Sequence, residues 1–98
     1  MAYIRYSPLG RRVDSQREYF EDLILKVLFD AYFGMFSNAD IPVSLRLLSQ
    51  SAGLDIQRTR AICDYLVKKS LVERVISGQQ PFYKISPEGI RLVEIEQR

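Results

Sequence analysis

Within the stretch DIQRTRAICDYLVKK, Gln57, Arg58, Arg60 and Ala61 are spaced over about two turns of a potential helix. A glutamine amide can bond both hydrogen-bonding atoms of adenine, an arginine can grip guanine with two donors, and an alanine leaves room for a thymine methyl. At 100° per residue, Ile56, Thr59, Ile62, Cys63, Leu66 and Val67 share one side of that helix. Gln57, Arg58, Ala61, Asp64, Tyr65 and Lys68 share the other, with Arg60 on the flank. A helix with a polar outer face near its own start fits a DNA major groove. An ordinary solvated helix face is the competing reading of the same residues. Asp64 counts against DNA, because a carboxylate near phosphates is repelled.

Other polar residues could support such a surface. Ser44 and Arg46 begin the preceding helix, where free backbone amides and a guanidinium can hold a phosphate; a plain helix cap and an exposed arginine are equally open. Lys68 and Lys69 either contact phosphate or stabilise the C-terminus of their helix. Arg74 and Lys84 either flank a phosphate or are solvated charges across a hairpin. Arg11 and Arg12 either reach a minor groove, as basic arms do, or belong to a disordered or exchanged arm. Cys63 reads as a small apolar core residue, with a redox-sensing thiol as the alternative. Tyr19, Phe20, Phe29, Tyr32, Phe33 and Phe36 read as core and dimer packing, with a small-molecule effector pocket as the alternative.

Catalysis is not expected. The chain has no histidine, no Gly-rich phosphate loop and no nucleophile with an evident base. One cysteine and no histidine leave a transition-metal site poorly supplied, and no cofactor is expected.

Ninety-eight residues, 47% of them hydrophobic, suit one domain with a real core. No long uncharged apolar run spans a membrane, and the start MAYIRYSPLGRR lacks an apolar signal core, so a cytoplasmic protein is expected. The net charge is only +2, but it is unevenly spread. Residues 41–70 carry Arg46, Arg58, Arg60, Lys68 and Lys69 against Asp55 and Asp64, whereas residues 19–40 carry Lys26 against Glu21, Asp22, Asp30 and Asp40. Positive charge thus gathers in the two-helix segment and in the first 18 residues, as expected for a surface that approaches phosphates.

The elements that must position these residues can be read from periodicity and punctuation. Residues 1–14, with Pro8 and Gly10, read as an extended basic arm, and 15–98 as the folded domain. Ser15 and Glu18 form a capping box that opens a helix to about Phe33. It carries two apolar stripes: Phe20, Leu23, Ile24, Val27, Leu28, Ala31 and Tyr32, and then Leu25, Phe29 and Phe33. Two stripes imply burial on two sides, and a partner subunit is the expected cover. Residues 34–40 read as a loop and Ile41-Pro42-Val43 as an extended link. A helix with Leu45, Leu47 and Leu48 facing inward ends near Ser51, Gly53 makes a tight turn, and Asp55 caps a helix over 56–69. Strands over 71–77 and 82–85 flank a turn at 78–81. Pro87 opens a last helix with Ile90 and Val93 on its apolar edge.

This order resembles a winged helix-turn-helix domain, mainly α with a small β-hairpin. Leu54-Asp55 through Tyr65-Leu66-Val67-Lys68-Lys69-Ser70-Leu71-Val72-Glu73-Arg74 resembles the recognition helix and first wing strand of MarR-like and PadR-like regulators. Ile85-Ser86-Pro87-Glu88-Gly89-Ile90 is similar to their exit from the wing. The resemblance covers roughly residues 19–97. The chain departs from it in having Ser70 where a glycine is usual, and in a wing tip, Gly78-Gln79-Gln80-Pro81, without charge.

The resemblance implies a homodimeric, sequence-specific regulator of transcription that binds double-stranded DNA. The DNA-binding residues expected are Ser44, Arg46, Gln57, Arg58, Arg60, Ala61, Tyr65, Lys68, Arg74 and Lys84. The dimer-interface residues expected are Phe20, Ile24, Leu25, Phe29, Phe33, Ile90 and Val93. A protein-interaction module built on the same fold is the alternative. A ligand or redox sensor on the DNA-binding frame is a third.

Overall fold

Each helix begins where a side-chain oxygen takes up a backbone amide that the helix itself leaves free. In the computed structural model, which describes residues 5–33 and 42–96, Ser15 caps α1 (Gln16–Phe33) by accepting from the Glu18 amide at 3.1 Å. Ser44 caps α2 (Leu45–Ala52) through the Leu47 amide at 3.2 Å. Asp55 caps α3 (Ile56–Lys68) through the Arg58 amide at 3.3 Å. Ser86 caps α4 (Pro87–Glu96) through the Gly89 amide at 3.0 Å. Between α2 and α3, Gly53 takes the left-handed conformation (φ +70°), which costs a glycine nothing, and its amide closes back on the Ser49 carbonyl. Two capped helices joined by that turn form the helix-turn-helix.

The strands are β1 (Arg5–Tyr6), β2 (Arg12–Val13), β3 (Val43–Ser44), β4 (Val72–Ser77) and β5 (Gln80–Ile85). The expected hairpin is β4–β5, with Ser77 opposite Gln80, so the turn is Gly78-Gln79 and tighter than the four residues foreseen. The hairpin gains a third strand: β3 pairs antiparallel with β5, Val43 opposite Tyr83, giving the order β3-β5-β4. That pairing joins the start of α2 to the wing.

α1 lies at the centre, against α2, α3, α4 and β5. Ile24, Leu25 and Leu28 are buried with Leu48, Leu66, Tyr83, Ile85 and Val93. Each such aliphatic side chain contributes about 1.5–3 kcal/mol by leaving water.

Four expectations change here. Both stripes of α1 are covered over its first half by the chain itself, because α4 returns across it; only Phe33 at the far end is largely exposed, at 57%. Ile24, Leu25 and Val93, expected at a dimer interface, are therefore core residues that a partner cannot reach. From residue 5 onward the expected extended arm is a β1–β2 hairpin docked on α1, with Leu9 and Val13 buried and the Arg11 Nε 2.6 Å from the buried Asp22 carboxylate; residues 1–4 lie outside the described residues. Leu47 faces outward, 51% exposed, rather than inward. The expected loop over 34–40, with Phe36, and the Ile41 part of the link lie outside the described residues.

Candidate nucleic-acid interface

α3 turns Thr59, Ile62, Cys63 and Leu66 into the core, and this fixes what it presents to solvent. Gln57, Arg58, Arg60 and Ala61 are all exposed. Among the described residues the strip is therefore open to solvent, bordered on one side by the start of α1. Thr59 anchors it, since its hydroxyl donates to the Asp55 carbonyl at 2.9 Å and so ties the first turn to the cap.

Two flanks border the strip. On one side the start of α1 approaches, and Gln16, Arg17 and Phe20 form an open groove with Leu54, Arg58, Ala61 and Ile62. The Arg58 Nε lies 3.6 Å from its cap Asp55, with both side chains mostly in water, so this pair holds Arg58 only weakly. Tyr65 lies on the same flank, its ring 5.1 Å from the Arg17 guanidinium and 5.4 Å from the Lys69 ammonium. Through Arg17 the ring, expected among the DNA-binding residues, also links α1 to α3. Lys68 is exposed in the last turn.

The wing forms the other flank. Arg74 and Tyr83 are opposite one another on β4 and β5, and both reach Asp64 of α3: the Tyr83 hydroxyl donates to Asp64 Oδ1 at 3.0 Å, and Arg74 Nη1 stands 3.6 Å from the same oxygen. Burial pushes the Tyr83 hydroxyl up to about 12, and its bond to the Asp64 carboxylate adds to the shift. This bridge, which no sequence motif announces, ties the wing to α3. Strand alternation gives the only hint of it, by placing Arg74 and Tyr83 on one face. The same alternation sets Lys84 on the opposite face, across from Glu73, so Lys84 does not share a surface with α3. Ser44 and Arg46 lie beside the wing end: Leu45 and Arg46 border a shallow groove with Ile56, Gln80 and Pro81. The Ser44 hydroxyl serves as the helix cap, and Arg46 is exposed.

Two further expectations are settled by burial. Cys63 is fully buried, and burial, with the Asp64 charge adding, raises its thiol to about 12; it stays protonated at neutral pH and packs as an apolar residue. Arg11 is committed to Asp22, which leaves Arg12 as the exposed cation of that pair of arginines. Of the remaining dimer candidates, Phe29 and Phe33 cluster with Tyr32 at the end of α1, with ring centroids 4.7 Å apart for Phe29–Phe33 and for Tyr32–Phe33. Phe20 is half-buried near the other end of α1, and Ile90 is half-buried on α4.

No protein-family model matches the sequence, and a comparison with curated proteins finds no match. Solved structures do resemble it. The solution structure of the homodimeric winged helix-turn-helix DNA-binding domain of a possible ArsR-family transcriptional regulator from Mycobacterium bovis gives a TM-score of 0.62 at 22% identity, covering 80% of this chain. The present chain spans 64% of that domain's length. A crystal structure of a protein from Archaeoglobus fulgidus gives 0.63 at 9% identity, over 80% of this chain and 79% of that one. A possible transcriptional regulator from Methanosarcina mazei Go1 gives 0.50 at 16% identity, over 99% of this chain and 86% of that one. The capped helix-turn-helix, the three-stranded sheet behind it and these likenesses together make this a winged helix-turn-helix fold.

Proposed function

We propose that this chain is a homodimeric transcription regulator of the MarR-like or PadR-like kind, acting in the cytoplasm, which binds double-stranded DNA sequence-specifically with α3 in the major groove. One observation carries the reading: Gln57, Arg58, Arg60 and Ala61 are all exposed on the first two turns of a helix whose opposite side is locked into the core. In this reading Arg46, Lys68 and Arg74 border the strip and meet backbone phosphates, which positions the helix while Gln57, Arg58 and Arg60 read base edges. A winged helix-turn-helix domain described as homodimeric and DNA-binding is among the similar structures, which supports the same reading. Phe29, Phe33 and Ile90 are the apolar residues we assign to the second copy. A symmetric pair would set its half-sites about 34 Å apart on one face of the duplex.

A protein-interaction module is the second reading, favoured by the exposed Leu47, Ile56 and Ile76, of which Ile76 on the wing is 67% exposed. A gel shift on mixed-sequence duplex separates the two. Several phosphate contacts predict an affinity loss of orders of magnitude between about 50 and 200 mM salt. Absence of binding at low salt rejects the DNA reading in favour of the interaction module.

A further inference from the structure

Along α3 the outermost residues are Gln57, Ala61, Asp64 and Lys68, spaced four, three and four apart and hence on one line down the helix. Asp64 is the anion in that line, about one turn beyond the strip proposed to face DNA. Its side chain is 43% exposed, and Arg74, at 41%, stands beside it. Among the described residues its polar contacts are with Tyr83 and Arg74, and both are made to Oδ1. The carboxylate accepts from the Tyr83 hydroxyl at one oxygen, stays partly open to solvent, and lies next to a cation that offsets its charge.

We infer that Asp64 is a specificity-determining residue: its carboxylate, positioned by the Tyr83 hydroxyl and flanked by Arg74, accepts a hydrogen bond from the N4 amino group of one cytosine in the major groove. The inference rests on the DNA-binding reading above. An ionised carboxylate only accepts. The major groove offers it donors at cytosine N4 and adenine N6, and adenine places the N7 acceptor beside its amino group, where it repels a second carboxylate lone pair. Cytosine has no such neighbour on its own groove edge. The same negative charge disfavours every arrangement in which α3 slides onto phosphates without that cytosine, so Asp64 lowers affinity for unrelated sequences while it selects the correct one.

The test compares wild type with Asp64→Asn and Asp64→Ala. Asparagine keeps an acceptor for the Tyr83 hydroxyl, so it preserves the bridge to the wing, and thermal unfolding of each variant is followed alongside. Duplexes are first selected from a random pool with wild type, and affinities are then measured on the preferred duplex, on its single-base variants and on mixed sequence. The expected result is a preference for cytosine of about tenfold at one position with wild type. That preference falls to near unity in Asp64→Ala, and Asp64→Asn accepts other bases there. Both variants bind mixed-sequence duplex more tightly than wild type. A residue that merely held the wing would lower affinity for all duplexes alike and leave base preference intact. The inference is overturned if wild type shows no cytosine preference at any position, or if the preference survives in Asp64→Ala; either outcome leaves DNA binding itself standing. Wild type that binds no duplex at low salt removes the DNA reading and the inference together.

Discussion

Gly89 is the position where a single methyl group tests how the last helix is seated. Ser86 and Gly89 form the exit from the wing: the Ser86 amide donates to the Leu71 carbonyl at 3.0 Å, its hydroxyl donates to the Ser70 carbonyl at 2.6 Å, and the same hydroxyl accepts from the Gly89 amide at 3.0 Å. The segment after α3 and the start of α4 are thereby drawn so close that a Cβ at position 89 would run into the Leu71 carbonyl oxygen and stand 2.7 Å from Ile85 Cγ1. Ordinary contact starts at 3.4 Å, so in Gly89→Ala the helix must retreat by about 1 Å. The nearest atom is backbone and cannot rotate aside. Overpacking of this kind costs about 1–3 kcal/mol, and straining the Ser86–Leu71 bond adds about 1 kcal/mol. The lower freedom of alanine in the unfolded chain returns about 0.5–1 kcal/mol. The net is a loss of about 2 kcal/mol, which for a chain of this size lowers the melting temperature by roughly 8–16 °C. Circular dichroism during thermal and urea unfolding, at one fixed protein concentration, reads it directly. A variant as stable as wild type would refute the reasoning, because α4 could not then be resting on the Leu71 carbonyl.

Three other outcomes are expected. Ser70 sits at φ +63°, where a side chain costs about 1–2 kcal/mol and glycine costs little, so Ser70→Gly should stabilise the fold by about 0.5–1 kcal/mol after its extra unfolded-state freedom is subtracted; an unchanged or lower urea midpoint contradicts this. Cys63 and Tyr83 are both raised to about 12, from 9.0 and 10.0, so the folded state keeps protons that the unfolded chain releases. Their contribution to stability is complete below pH 9 and is lost as pH rises towards 12, at about 1.4 kcal/mol per pH unit for each group, and Cys63→Ala should delay the onset of that loss to about pH 10; stability that is level across this range counts against both burials. Arg58→Ala should weaken binding to the preferred duplex by about 1–3 kcal/mol and relax base choice at one position, whereas Lys84→Ala, on the other face of the wing, should leave affinity and salt dependence unchanged; equal losses would mean the two share a surface after all.

The local parts of this fold were legible because they depend on near neighbours. A helix cap needs an oxygen within three residues, and Ser15, Ser44 and Asp55 could all be read as caps from the residues beside them. Gly53 and Pro87 punctuate the chain in the same local way. The three-stranded sheet was not legible in full: β3 is two residues long, carries no alternation to detect, and gains its partner from β5 about forty positions away in the sequence. The same limit applies to α1. Its apolar residues run round the helix, and periodicity alone cannot say whether the second covering surface comes from another copy or from α4 returning over it. Here α4 and the β1–β2 hairpin supply it, so Leu25 and Val93 became core residues and the candidate interface between copies contracted to the aromatic end of α1 and Ile90 of α4.

The candidate site divides along the same line. Which side of α3 faces outward followed from the 100° spacing, because most of its apolar residues take the core side; Gln57, Arg58, Arg60 and Ala61 are exposed as that requires, whereas Ile56, grouped with the core side, is exposed at the helix start. What each exposed side chain does with its charge depends on contacts between elements, and these carry no local signature. Tyr65, expected among the DNA-binding residues, lies against Arg17 and Lys69; Arg11 looked like a free cation and is paired with Asp22. Asp64 shows the point from the other side. As an isolated residue it argued against DNA, since it places a carboxylate on the surface meant for phosphates. Joined to Tyr83 and Arg74 it lies beside a cation and links the wing to the helix, and in the reading proposed above it is an acceptor for one base edge. A group that discourages indiscriminate phosphate contact while rewarding one base edge works in favour of a sequence reader. The modest net charge of the chain is then consistent with selective rather than indiscriminate binding, because specificity is a difference of affinities and is widened by lowering the weaker of the two.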